Sequence, residues 1–439
     1  MTGADSTSLV ERDSRVLWHP FTQHSRWLED RPIVVDRAEG MYFWDIDGTR
    51  YLDGVSSLWV NVHGHAHPEI VAAITEQIRR LDHTTFLGLT HEPGIRLAEE
   101  LLGVAPPGLQ RVFYAGDGSS AVEAALKMAY QAHAQTTGVR PLIVHLAEGY
   151  HGDTLGAVSV GGISLFHETY RSIMLETRQI GSPGLREVGQ TPAERAAEVL
   201  AELRDLMAAE GSQVCAVIVE PMVQGAGGML THHADFLRGV REVCDATGAF
   251  MIADEVATGL GRTGAMFAVD HAAVAPDLLT LGKGVTGGVL PLSAVLATEA
   301  IYEAFLGAPI EAKTFFHGHS YTANPPAAAA ALANLNLMRR NNTVVRAQEI
   351  GDRIGRNLAV LDEHPGVKEV RRLGTMTGIE VFAKTERTGF DICQQARRAG
   401  VWVRPLGDVV ILMPPLALRD DEVDQLTGAV TDSIDAVLG

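Results

Sequence analysis

The stretch Ala249-Phe250-Met251-Ile252-Ala253-Asp254-Glu255-Val256 is an apolar run that stops at two carboxylates. Its length and its bounding by turn residues fit a strand buried on both faces. Working outward, short apolar runs over 111–115, 141–146 and 214–220 alternate with helical patterns over 119–135 and 192–210. Strands alternating with helices predict an α/β fold with a mostly parallel sheet flanked by helices, and ligands on such sheets sit beyond the carboxyl ends of the strands. The two carboxylates therefore fall where chemistry is expected, although an Asp after a strand is as often only a helix cap.

Composition supports a folded enzyme. The chain has 439 residues, 46% of them hydrophobic and 21% charged, which suits a large core-bearing domain plus a smaller α/β domain. The stretch 34–54 reads as a hairpin turning at Asp47-Gly48. A second α/β region starts near Val344, with strands over 367–373, 378–382 and 401–405, and the Ala-rich stretch after Pro326 reads as a packed helix. The expected division is 1–60 as the N-terminal part of the small domain, 61–330 as the large domain and 331–439 as the C-terminal part of the small domain. A net charge of -18 with no long basic run argues against nucleic acid. Residues 1–10 lack a basic and then apolar leader pattern, and no apolar run is long enough for a bilayer. Cys215, Cys244 and Cys393 are widely spaced in apolar contexts and read as buried free thiols, so a soluble cytoplasmic protein is expected.

Downstream of the opening stretch, Leu281-Gly282-Lys283-Gly284 places a lysine between glycines at the end of another apolar run. A lone loop lysine is usually a solvated charge. Apolar flanks here would desolvate the ammonium and free the nucleophilic amine. Asp254 and Lys283 lie 283 minus 254, or 29, residues apart, about one strand-to-strand crossover, so both can face one pocket. Pyridoxal 5'-phosphate requires that pairing: an anionic Asp keeps the pyridine nitrogen protonated, and a Lys forms the Schiff base and then shuttles a proton. A phosphate cradle is expected where Gly116-Asp117-Gly118-Ser119-Ser120 opens a helix, with Ser120 and Glu123 as its capping box. Tyr150 in Gly149-Tyr150-His151-Gly152-Asp153-Thr154 offers a ring to stack on the pyridine, or else a core tyrosine beside a glycine turn.

Together these motifs resemble the class III aminotransferases of fold type I, with which the chain shares Leu17-Trp18-His19-Pro20, Ser56-Ser57-Leu58-Trp59, His63-Gly64-His65, Glu220-Pro221-Met222-Val223-Gln224-Gly225, Asp254-Glu255-Val256-Ala257-Thr258-Gly259 and Gly261-Arg262-Thr263-Gly264. The resemblance covers almost the whole chain. It implies phosphate contacts from Gly118 and Ser119, ring stacking by Tyr150, Val256 on the opposite face, Asp254 on the ring nitrogen and Lys283 as the Schiff-base lysine. It also implies a homodimer with shared active sites, in which Gly318, His319 and Ser320 reach the other subunit's phosphate.

Among these enzymes the chain is most similar to the branch that converts 8-amino-7-oxononanoate to 7,8-diaminononanoate in biotin biosynthesis. The resemblance then makes Phe21, Trp59, Tyr150 and Gly318 substrate contacts, and gives Arg404 the keto-acid carboxylate, which a guanidinium pairs bidentately. Relatives acting on ornithine or 4-aminobutyrate carry a glutamate where this chain has Ala226. Phe21, Leu58, Ile411 and His319-Ser320-Tyr321 depart from the pattern of enzymes using S-adenosylmethionine, and with Pro405-Leu406-Gly407-Asp408 they look more like those using lysine as amino donor. Other readings are a class III ω-aminotransferase for a different amine and keto acid, a non-catalytic cofactor-binding homologue, and a metal site on His63, His65 and His67 if these alternate on a strand.

Overall fold

The computed structural model describes residues 6–439, so the leader-pattern reading of residues 1–5 lies outside them. A seven-stranded sheet carries the site. Its order is Leu109–Ala115, Ser293–Thr298, Leu278–Leu281, Phe250–Asp254, Val214–Val219, Leu142–Leu146, Arg178–Ile180. Ser293–Thr298 runs antiparallel to both neighbours and the other pairs are parallel, as a mostly parallel sheet requires. Six strands thus direct their carboxyl ends to one edge: those ending at Ala115, Leu146, Ile180, Val219, Asp254 and Leu281. Central strands buried on both faces explain their unbroken apolar runs, since Val214–Val219 has no exposed residue.

Helices cover both faces. Pro192–Glu210 starts with a capping box on Thr191 and Glu194 and packs Val199, Leu200 and Leu203 against Phe236, Leu237 and Val240 of Ala234–Thr247. The other face is covered by Gly118–Thr136, whose alanines bring it close to the sheet, while Pro325–Arg340 packs on the first face over Leu279 and Leu281. All three cysteines are buried and free. No helix among the described residues is long and apolar enough to cross a membrane.

The hairpin turns as expected between Tyr42–Asp45 and Arg50–Asp53, where Asp45 accepts hydrogen bonds from the amides of Asp47 and Thr49. Two expectations are corrected. Residues 401–405 do not form one strand. Val401–Trp402 joins the sheet of the N-terminal hairpin, whereas Arg404–Leu406 joins Val409–Leu412 in a second four-stranded sheet. Val403 is the crossing point, because the Trp402 carbonyl is taken by the Gly54 amide while Val403 packs inward against the C-terminal helices. The helix at Gly118 is capped by Asp117, which accepts from the Ser120 amide, and not by a Ser120–Glu123 box. Glu123 instead reaches across to the Gly156 amide.

Candidate active site

At this carboxyl edge of the sheet lies a cavity of about 190 Å³ lined by Trp59, Gly118, Ser119, Tyr150, Asp254, Val256 and Lys283, together with His151, Glu220, Ala226 and Ala257. A larger groove under the first helix is mostly apolar, and its Asp13 carboxylate is already taken by His19 and Trp27. The convergence of titratable groups marks the smaller cavity as the functional one.

Lys283 follows strand Leu278–Leu281 with a φ of 43°, a conformation that a non-glycine residue holds only at a cost. Its amine has no hydrogen bond or ion pair among the described residues, and it lies 5.4 Å from the Trp59 ring centre. Burial lowers its pKa, against the opposing charges of Asp254 and Glu220. The glycines on either side let the chain crowd in: a Cβ at Gly282 would stand 3.2 Å from Val256.

Asp254 receives three donors. Thr280 Oγ1 and the Val256 amide donate to Oδ1, at 2.9 and 3.1 Å, and His151 Nδ1 lies 2.6 Å from Oδ2. His151 is buried, which by itself disfavours its charged form, but its bond to Asp254 and that charge leave its pKa raised. Oxygens that accept two and one hydrogen bonds retain a lone pair for one further N–H donor.

The helix start at Gly118 supplies the anion site. The Ser120 amide is capped and the Ala121 amide bonds to the Asp117 carbonyl, whereas the Gly118 and Ser119 amides have no partner among the described residues. Two free N–H groups at the positive end of a 19-residue helix favour a phosphate. Ser119 Oγ accepts from the Asp153 amide at 3.1 Å, and a Cβ at Gly152, where φ is 118°, would collide with it. Val256 fills the space left by Gly118, where a Cβ would lie 2.6 Å from Cγ1. A phosphate cradle, a ring-nitrogen acceptor, an apolar face and a desolvated amine thus fit pyridoxal phosphate in one cavity.

Tyr150 donates its hydroxyl to Asp153 at 2.9 Å and meets the edge of Phe166, which in turn meets Phe21. Phe21 is therefore a second tier away from the cavity and 61% exposed. Gly318 and Ser320 are exposed and outside the cavity lining, although His319 packs over Gly116. Arg404 is also outside the lining, solvent-reachable and without an ion pair among the described residues, while the protein around it lowers its pKa. His63, His65 and His67 lie in a loop, not on a strand, and His65 Nε2 sits 2.9 Å from Asp53.

Local sequence pattern gives Glu220, His151 and Thr280 no role, and the fold supplies one. Glu220 was legible by the rule that found Asp254, since it is a carboxylate just past an apolar parallel strand. It accepts from the Tyr150 and Gly225 amides, both at 2.9 Å, and burial pushes its carboxyl up to about 7.

The family model described as Aminotransferase class-III matches residues 24–434. The chain belongs to the class III aminotransferases. This class III chain is 47% identical to the adenosylmethionine-8-amino-7-oxononanoate aminotransferase of Nitratidesulfovibrio vulgaris, over 97% of the chain and 81% of that relative. The crystal structure of the Methanocaldococcus jannaschii protein of that name superposes with a TM-score of 0.94 at 36% identity, covering 99% of this chain and all of the other. An amine transaminase from an uncultivated Pseudomonas species, solved in a PLP-bound form, gives 0.91 at 35% identity, covering 96% and 99%.

Beside Asp254 in this aminotransferase, Glu255 points away from the cavity and accepts from the Val269 amide and the Thr258 hydroxyl. Burial pushes it up to about 7 from an ordinary 4.5. The folded protein therefore holds a proton there that the unfolded chain releases. The resulting stability is full below pH 4.5 and is lost as pH rises through about 7. Relative to Glu255→Gln, the parent is expected to lose on the order of 3 kcal/mol across this range. Urea unfolding from pH 5 to 8 checks this, and a pH-independent gap would contradict it.

Proposed function

We propose that this class III aminotransferase uses pyridoxal phosphate to transfer an amino group to 8-amino-7-oxononanoate, giving 7,8-diaminononanoate for biotin synthesis. The observation that carries the reaction type is the unpaired, desolvated Lys283 amine in one cavity with Asp254 and the free amides of Gly118 and Ser119. The names of the similar proteins support the substrate.

Bound pyridoxal phosphate supplies a carbonyl that takes up an amino group and a ring that accepts an electron pair. The chain supplies the remainder. Gly118 and Ser119 hold the phosphate through their amides. Asp254, kept in place by His151 and Thr280, would accept from the ring nitrogen and so hold the proton there. Tyr150 and Val256, both lining the cavity, would hold the ring. Lys283 would hold the cofactor through Nζ, and the same amine would move a proton at the substrate carbon. Trp59 walls the substrate site, and Phe21 extends it through Phe166. Arg404, free of an internal partner, receives the carboxylate of the keto acid.

The same reading has two copies of the chain sharing their sites through Gly318 and Ser320. The exposed apolar residues Leu87, Phe316 and Tyr321 support a partner surface. It keeps residues 1–60 and 331–439 as one unit beside 61–330, supported by the pairing of Leu52 with Val401. Buried free thiols support a reducing cytoplasm.

The test gives the purified enzyme 8-amino-7-oxononanoate with either S-adenosylmethionine or lysine and measures diamine. Product is expected with one of these donors. The similarity to an amine transaminase favours a second reading, a broader ω-aminotransferase. Turnover of a simple amine with no diamine from either donor would establish it and remove the biotin assignment.

A further inference from the structure

The turn that carries Trp59 is strained. Ser56, Ser57 and Trp59 have φ of 53°, 63° and 64°. Three non-glycine residues in left-handed conformations within four positions persist only where their surroundings over-determine them, and such strain clusters at functional sites.

Asp53 supplies the constraint on one side. It ends strand Arg50–Asp53 and is fully buried. Oδ1 accepts from the Val55 amide at 3.2 Å, and Oδ2 accepts from the Ser57 amide at 2.7 Å. His65 Nε2 lies 2.9 Å from the same Oδ2, and the His65 backbone is itself fixed by two hydrogen bonds to Gly40. On the other side, the Ser56 hydroxyl donates to the Met413 carbonyl at 2.7 Å. The result is to hold the Trp59 ring over Lys283 and against Gly225, where a Cβ would stand 3.2 Å from it.

We propose that the Asp53–His65 pair is a positioning device for the reaction: it holds the strained Ser56–Trp59 turn and thereby sets Trp59 against Lys283 and the substrate. Neither member lines the cavity, so both act through Trp59. This assigns a task to His65, which takes no part in the mechanism above. The proposal rests on Trp59 as a wall of the substrate site. Without the carboxylate, the Val55 and Ser57 amides lose their acceptor, the turn relaxes to ordinary backbone angles and the indole leaves the lysine.

A double-mutant cycle on the holoenzyme tests it, with Asp53→Ala, Trp59→Ala and the two combined. Two quantities are read: KM against kcat for the keto acid, and the pH at which the visible absorbance of the bound cofactor changes. Asp53→Ala is expected to raise KM by about tenfold with a smaller change in kcat, as Trp59→Ala does. Both variants should shift the absorbance transition in the same direction. Adding Asp53→Ala to Trp59→Ala should change nothing further, and Asp53→Asn, which keeps an acceptor, should restore much of the loss. Independent effects that multiply in the double variant would overturn the proposal. If Asp53→Ala does not fold, His65→Ala and Asp53→Asn take its place in the same cycle, with smaller effects and the same criterion. If Trp59→Ala leaves KM unchanged, the substrate-wall reading fails, while the absorbance transition still decides whether Asp53 acts through Trp59.

Discussion

Lys283→Ala is expected to leave a folded protein whose turnover is at least about 10³-fold slower, because one side chain provides both the covalent attachment and the proton transfer. No other lysine lines the cavity, so nothing replaces the amine. Stability should not fall. In the cofactor-free protein the Lys283 amine is buried with no ion-pair partner among the described residues, a cost that the alanine removes, so melting is compared without cofactor. Steady-state assay and thermal melting measure the two effects. Borohydride reduction and peptide mapping should place a pyridoxyl label on position 283 in the parent and nowhere in the variant. A label on a different lysine of the parent would end the assignment.

Asp254 should separate charge from shape. Asp254→Ala removes the acceptor for Thr280, the Val256 amide and His151 at once. It is expected to cost about 3 kcal/mol of stability, since a buried partner is left alone. It should also lower kcat by about 10² to 10³-fold through loss of the fixed negative charge. Asp254→Asn keeps acceptors for Thr280 and Val256, so most of the stability should return while the rate loss persists. Urea unfolding and kcat distinguish the two variants. A near-parental kcat in Asp254→Asn would show that the carboxylate charge is not what the ring nitrogen needs.

Local pattern made much of this architecture legible. Runs of apolar residues buried on both faces marked the central strands, and the helical pattern over 192–210 is reproduced by the helix Pro192–Glu210. Asp254 and Lys283 stood out because each ends such a run, and the structure brings both into one cavity. Other features depend on distant partners. Nothing near Val403 announces that the chain changes sheets there, because the cause is the Gly54 amide about 350 residues earlier. Asp117 and Ser120 both suit a helix cap, and the choice falls to Asp117 because Glu123 is drawn to Gly156. The role of His151 appears only when the fold sets it beside Asp254, 103 residues away. Arg404 is the opposite case: its motif was clear, but its place outside the cavity lining depends on which sheet receives Arg404–Leu406.

The pairing of Leu52 with Val401 also bears on how the molecule is made. A ribosome adding about 5 to 20 residues per second delivers the first of these strands many seconds before the second. Until then Leu52 and Met41 lack the C-terminal helices that bury them. The antiparallel strand Ser293–Thr298 imposes a similar wait on Leu109–Ala115. Nascent chains are therefore exposed to aggregation for most of translation, and maturation is slow because its decisive contacts join distant parts of the polypeptide.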